Sequence, residues 1–276
     1  MTKTWFITGT STGLGRLLTE RLLARGDRVV ATVRQPDVLT TLTAQYGDQL
    51  LVLTLDVTDT HAINTVVTDA FQRAGNIDVV VGNAGYALFG AAEEASDAQI
   101  DRQIATNLVG SIQLIRAVLP HLREQGGGRI VQLSSEGGQI AYPNFSLYHA
   151  TKWGIEGFVE SVAQEVASFG IDFLIVEPGP TGTNFVDGLD RAPIMACYED
   201  TPAGEVRRGV ASGAFAIKGD AARTVDAMIA TADMQHPPLR LALGSTAYAS
   251  ISQALSQRLS LLENQKDIAL SADRLN

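Results

Sequence analysis

Short apolar runs rich in β-branched residues alternate along the chain with longer stretches in which apolar positions recur every three or four residues. The short runs predict strands at Thr4 to Thr8, Arg28 to Val33, Leu50 to Leu55, Ile77 to Val81, Gly128 to Leu133, Ile171 to Val176 and Leu239 to Leu243. The longer ones predict helices over 14–25, 37–46, 60–74, 97–124, 147–169 and 220–233, each long enough to cross between parallel strands. Continuous apolar runs belong to strands covered on both faces. The expected fold class is therefore α/β, a doubly wound seven-stranded parallel sheet flanked by helices, in one domain over 1–276.

Two segments break the rhythm. Residues 183–218 lack a strong period and carry Gly188, Pro193, Pro202 and Gly204. So long a connection reads as a lid or a disordered loop, and the lid over substrate is preferred. In the tail, 245–276, Leu255, Leu259 and Leu262 recur at helical spacing and predict an appended helix ending in polar residues.

Composition narrows the function. The 276 residues are 45% hydrophobic and 18% charged, a globular balance, and no stretch approaches the roughly 18 apolar residues of a membrane span. Met1-Thr2-Lys3 runs into the first strand without the marks of a signal peptide, so a cytoplasmic location is expected. The single cysteine, Cys197, excludes an internal disulfide, fits a reducing compartment and reads as a small apolar residue. A net charge of −9 opposes nucleic acid and anionic membranes and leaves small molecules as the expected partners. His61, His121, His149 and His236 are scattered, so no metal site is expected. Glu93 and Glu94 are read as solvated neighbours, and His149 as pointing away from the face that Tyr148 occupies.

The strongest chemical signal lies between the first strand and first helix, in Thr8-Gly9-Thr10-Ser11-Thr12-Gly13-Leu14-Gly15. Glycines there let backbone amides and a helix N-terminus approach a pyrophosphate, as Rossmann-type folds require. The second strand ends in Ala31-Thr32-Val33-Arg34. A carboxylate at that tip would accept from an adenosine ribose and mark NAD, whereas Arg34 suits the 2′-phosphate of NADP. The plainer alternative makes Arg34 a surface charge.

Tyr148 and Lys152 stand four residues apart on a predicted helix, on one face. A tyrosine acting as a base near pH 7 needs its pKa lowered by about three units, about 4 kcal/mol, and a nearby cation acts in that direction. Ser135 follows the fifth strand, with Ser134 as its alternative. A serine-hydrolase reading fails because Ser135 lies outside a GxSxG turn.

The TGxxxGxG turn, Asp56, Asn83-Ala84-Gly85, Asn107, Ser135, Tyr148-His149-Ala150-Thr151-Lys152, Pro178-Gly179 and Thr183 occur in one order that resembles the short-chain dehydrogenase/reductase family over about residues 3–243. The resemblance implies an NADP-dependent oxidoreductase, NAD being the lesser choice, that interconverts a carbonyl and an alcohol. It makes Asn107, Ser135, Tyr148 and Lys152 catalytic. Asn107 would hold a water linking Lys152 to solvent, and Ser135 would hydrogen-bond the substrate oxygen. Gly9, Ser11, Thr12, Gly13, Leu14, Gly15, Arg34, Asp56, Val57, Asn83, Ala84, Gly85, Tyr148, Lys152, Pro178, Gly179 and Thr183 would bind cofactor. Among these, Ser11 and Thr12 would assist at the 2′-phosphate, Lys152 would hold the nicotinamide ribose, and Thr183 with the Pro178-Gly179 turn would orient the carboxamide. The branch it resembles contains 17β-hydroxysteroid and retinol dehydrogenases, which implies a hydrophobic carbonyl or alcohol substrate. Leu88, Phe89, Gly138, Ile140, Tyr142, Phe145, Phe185 and Met195 are expected near its pocket, with about half of the aromatic ones expected to be core instead. The family also implies a homodimer or homotetramer through helices 97–124 and 147–169. A silent NADP(H) sensor would be expected to lack Tyr148 or Lys152, and a nucleotide-sugar epimerase would carry TGxxGxxG.

Overall fold

In the computed structural model, which describes residues 2–274, seven strands form one parallel sheet. They are β1 (Thr4–Thr8), β2 (Arg28–Val33), β3 (Leu50–Thr54), β4 (Val79–Gly82), β5 (Gly128–Leu133), β6 (Ile171–Pro178) and β7 (Arg240–Leu243). Their order across the sheet is β3, β2, β1, β4, β5, β6, β7. The helices are α1 (Gly13–Arg25), α2 (Thr40–Tyr46), α3 (Thr60–Ala74), α4 (Asp97–Ile104), α5 (Gly110–Glu124), α6 (Ser146–Val166), α7 (Pro202–Ala211), α8 (Ala221–Ala232), α9 (Ser245–Asn264) and α10 (Lys266–Leu270). Met1, Leu275 and Asn276, which the expected domain and tail include, lie outside the described residues.

β1 explains the unbroken apolar runs. Trp5 and Ile7 turn to one face with Leu18, Leu22, Val225 and Met228, beneath α1 and α8. Phe6 turns to the other with Ile63, Val67, Leu114, Ile115 and Val159, beneath α3, α5 and α6. Both faces are dry, so alternation carries no polar residue, and each fully buried side chain of this kind stabilises by about 1.5–3 kcal/mol.

The chain steps outward from β1 to β3, returns to place β4 beside β1, and then steps the other way. This reversal opens a crevice at the carboxyl ends of β1 and β4, the usual ligand position in such sheets.

Several boundaries differ from expectation for local reasons. β4 begins at Val79 because the Gln125 side chain bonds Ile77, accepting from its N–H at 3.3 Å and donating to its carbonyl at 2.8 Å. The helix expected over 97–124 is interrupted by a π-helical turn at Ala105–Val109, and 3₁₀ turns precede α2 and follow α6.

Residues 183–218 are folded onto the body. Asp190–Arg191 pairs in parallel with Leu88–Phe89, and α7 follows. The excursion closes on itself, with Gly182 N–H donating to Gly219 O at 2.9 Å and Gly219 N–H to Pro180 O at 3.0 Å. The appended helix is present as α9, but it buries only Ala247 and Ile251. Leu255, Leu259 and Leu262 are exposed.

Candidate active site

The crevice is a cleft of about 760 Å³. Its inner end is the glycine turn. A Cβ on Gly9 would stand 2.9 Å from Ala84 Cα, and one on Gly15 would meet the Asn83 amide and stand 2.5 Å from the Gly9 carbonyl oxygen. Asn83 stitches this contact, with Nδ2 donating to Thr8 O at 2.8 Å and Gly9 O at 2.9 Å. The Thr8 hydroxyl accepts from the backbone N–H of Asn83 and of Ala84. Gly15 is therefore a packing residue, while Gly9, Ser11, Thr12, Gly13 and Leu14 line the cleft. Thr12 caps α1 without a side-chain hydrogen bond, and no acid stands in the first turn. The first amides and the positive end of the helix dipole thus face the cleft, an arrangement that fits a diphosphate.

Farther out, Arg34, Asp56 and Val57 line the cleft. Arg34 is exposed and, among the described residues, has no ion-pair partner. Asp56 is held below the usual carboxylate range mainly by the Thr58 backbone N–H, at 2.9 Å, with the Thr58 hydroxyl and the charge of Arg34 adding to it against partial burial.

At the opposite end, the first three turns of α6 place Tyr148, Lys152 and Glu156 on one buried face. Ser135 caps the short turn Glu136–Gly138, its oxygen accepting from Gly137 N–H at 3.0 Å, and it hydrogen-bonds Tyr148. Ser134 bonds Glu156 instead, which separates the two candidate serines. Lys152 Nζ donates to Leu133 O at 2.8 Å and lies 5.6 Å from the centre of the Tyr148 ring.

The expected lowering of the Tyr148 pKa is not what this surrounding produces. Burial pushes the phenol up to about 12, opposed by the Ser135 hydrogen bond and reinforced by Glu136 and Glu156. Burial also brings Lys152 down to about 8, against the pull of Glu156. Desolvation is the largest of these effects, so Tyr148 is a protonated phenol at neutral pH.

Asn107 sits in the π-helical turn, where Nδ2 donates to Tyr86 O at 2.8 Å and Oδ1 accepts from Tyr86 N–H at 3.1 Å. Its side chain clamps the exit of β4, with Thr151 within 3.4 Å. Ala84, Gly85, Pro178, Gly179 and Thr183 line the cleft, and Thr183 Oγ1 accepts from Phe185 N–H at 3.3 Å.

Of the eight residues expected at the substrate pocket, only Phe185 lines the cleft, its ring 5.8 Å from that of Tyr148. Leu88, Phe89 and Phe145 are buried, and Phe89, Phe145 and Tyr142 pack together behind Tyr148. The 183–218 segment also exposes Val186, Ile194, Met195, Phe215 and Ile217, none of which lines the cleft. His149 is buried against Tyr142 and Phe145, with neither ring nitrogen hydrogen-bonded.

Glu94 corrects the expectation of a solvated pair. Its side chain is fully buried, accepts from Ala91 and Met195 N–H at 2.8 Å each, and meets Arg207 of α7 at 2.7 Å. Glu93 remains exposed and accepts from Tyr198. Cys197 is exposed as well. Unanticipated is a partly buried cluster in which Arg240 joins the buried Glu156 and Glu177 and the exposed Glu160, with burial raising Glu177 to about 7. Glu156 was discoverable, because it continues the four-residue spacing of Tyr148 and Lys152. Among the described residues no helix is long and apolar enough to cross a membrane, and no three His, Cys, Asp or Glu side chains gather to hold a metal ion.

The sequence pattern of the short chain dehydrogenases matches residues 3–193. The chain belongs to the short-chain dehydrogenase family. As a member it is an NAD(P)-dependent dehydrogenase/reductase. It is 34% identical over 273 residues to the oxidoreductase BOA17 of Botryotinia fuckeliana, covering 99% of this chain and 100% of that protein. A short-chain dehydrogenase from Streptomyces avermitilis superposes with a TM-score of 0.92 at 36% identity, over 99% and 100% of the two chains. The closed form of a serine dehydrogenase complexed with NADP+ superposes at 0.74, with 25% identity over 87% and 94%.

Proposed function

We propose that this short-chain dehydrogenase uses NADP to interconvert a carbonyl and an alcohol on a hydrophobic small molecule, with Tyr148 as general acid and base. The observation that carries the reading is that Tyr148, Ser135 and Lys152 close one end of the same cleft that the uncapped start of α1 and Arg34 open at the other. The dinucleotide would lie along Gly9, Ser11–Leu14, Arg34, Asp56, Val57 and Asn83–Gly85, reaching Lys152, Pro178–Gly179 and Thr183. When bound, it supplies or accepts the hydride.

The residues divide the remaining work. Ser135 and Tyr148 hold the substrate oxygen, and the buried phenol delivers its proton there in the reductive direction. Oxidation needs the phenolate, which Lys152 and a cationic nicotinamide ring beside it would both favour. Asn107 fixes the wall between Tyr86 and Thr151, from which a water relay to Lys152 would run. Phe185 and the exposed apolar side chains of 183–218 form a lid that covers a hydrophobic substrate and excludes water.

NADP preference is supported by Arg34 at the tip of β2, the absence of a carboxylate there, and the NADP+ held by the serine dehydrogenase of the same fold. Cytoplasmic action and a homodimer or homotetramer built through α5 and α6 complete the proposal. Fluorescence titration with NADPH and NADH, followed by a panel of hydrophobic ketones, tests it. Arg34→Ala is expected to weaken NADPH alone by about 10- to 100-fold, the worth of a hydrogen bond to a charged group. Equal affinity of the unaltered protein for both cofactors would overturn the NADP assignment.

A further inference from the structure

Beyond its effect on the Tyr148 phenol, Glu136 has no part in the proton chemistry above. It follows Ser135, is 4% exposed and lines the cleft. Its Oε2 accepts from the Ser250 hydroxyl of α9 at 2.9 Å, and a Cβ on Gly179 would stand 3.4 Å from that same oxygen. The carboxyl therefore sits against the Pro178–Gly179 turn, between the tyrosine end of the cleft and the appended helix.

No basic side chain among the described residues forms an ion pair with it. Lys152 points its ammonium at Leu133 O, and Arg258 of α9 is directed to Gln139 and the Trp153 ring. Glu136 and Glu156 both act as negative charges on Tyr148. A buried carboxylate without a counter-ion is costly, and a cation entering the cleft would offset that cost. The oxidised nicotinamide ring is cationic and the reduced ring is neutral.

Resting on the cofactor reading above, we propose that Glu136 selects the redox form of the cofactor, its carboxylate favouring the oxidised ring over the reduced one at the Gly179 turn. The same preference favours reduction of substrate over its oxidation. It also gives α9 a function, because Ser250 fixes which way the carboxyl points.

Calorimetric dissociation constants for NADP+, NADPH and 2′,5′-ADP, which lacks the ring, test this on the full chain. In Glu136→Gln the ratio of the NADP+ to the NADPH constant is expected to rise about tenfold, as removal of one charge several ångströms away implies. Binding of 2′,5′-ADP is expected to be unchanged, and Glu136→Asp to keep the ratio of the unaltered protein. Should Glu136→Gln fold poorly by circular dichroism, Glu136→Ala is read in the same way. An unchanged ratio, or equal weakening of all three ligands, would overturn the proposal while leaving the cofactor reading intact. Failure of the unaltered protein to bind any of the three would overturn both.

Discussion

Arg207→Ala tests how the 183–218 segment is held. The Glu94 side chain is fully buried and that of Arg207 is 13% exposed, and the guanidinium meets both carboxylate oxygens at 2.7 Å. Removing one partner of a buried pair costs about 3–5 kcal/mol, because the other charge is left uncompensated. Here the Ala91 and Met195 N–H groups continue to donate to Glu94, which places the loss near the lower end, about 3 kcal/mol. At about 2 °C per kcal/mol for a chain of this size, the melting temperature should fall by about 6 °C. Arg208→Ala, which removes an exposed arginine paired with Glu199, should change it by about 1 °C or less. Differential scanning calorimetry reads both variants, and hydrogen exchange should show faster opening over 190–211 in the first. A fall below 2 °C, or equal falls in the two variants, would refute the claim that this ion pair anchors α7.

Further outcomes follow from the same contacts. Gly15→Ala drives a methyl group into Asn83 and the Gly9 carbonyl and should abolish soluble folded protein, read by circular dichroism. Gly13→Ala meets open space but a φ of +60°, so it should fold with about 1–2 kcal/mol of strain and lose dinucleotide affinity, read by fluorescence titration. Burial holds His149 neutral, with its pKa lowered to about 4 from 6.5. Between those values the unfolded chain binds the extra proton, so stability should fall as pH drops from 6.5 to 4. His149→Phe should flatten that slope in pH-dependent melting curves.

Much of the fold was legible because the strand runs are buried on both faces and the helices between them are long. The boundaries that moved did so where side chains replace backbone pairing, as Gln125 does at Ile77, or where a π-helical turn interrupts an apolar period that continues through it. In the cleft, Gly9, Gly13, Arg34, Ser135, Tyr148 and Lys152 were legible from the sequence, and the structure brings them to one cavity. Glu94, Glu136 and the Arg240 cluster were not, because a carboxylate's burial depends on partners up to 114 residues away in sequence. The sign of the Tyr148 shift was missed for the same reason. Helical spacing reveals the lysine but not the low-dielectric wall around both groups. Of the residues expected near substrate, the aromatic ones beside the motif pack behind Tyr148, while Phe185 and Met195 lie in a segment with no period to read.

The central claim, that Tyr148 moves the proton in this cleft, is tested most directly by Tyr148→Phe, which deletes one oxygen from a packed ring. NADPH titration and single-turnover reduction of a ketone accepted by the unaltered protein should show cofactor affinity within about twofold of the original and turnover reduced by about 10²- to 10⁴-fold. Turnover within tenfold of the unaltered protein, with affinity retained, would contradict the assignment.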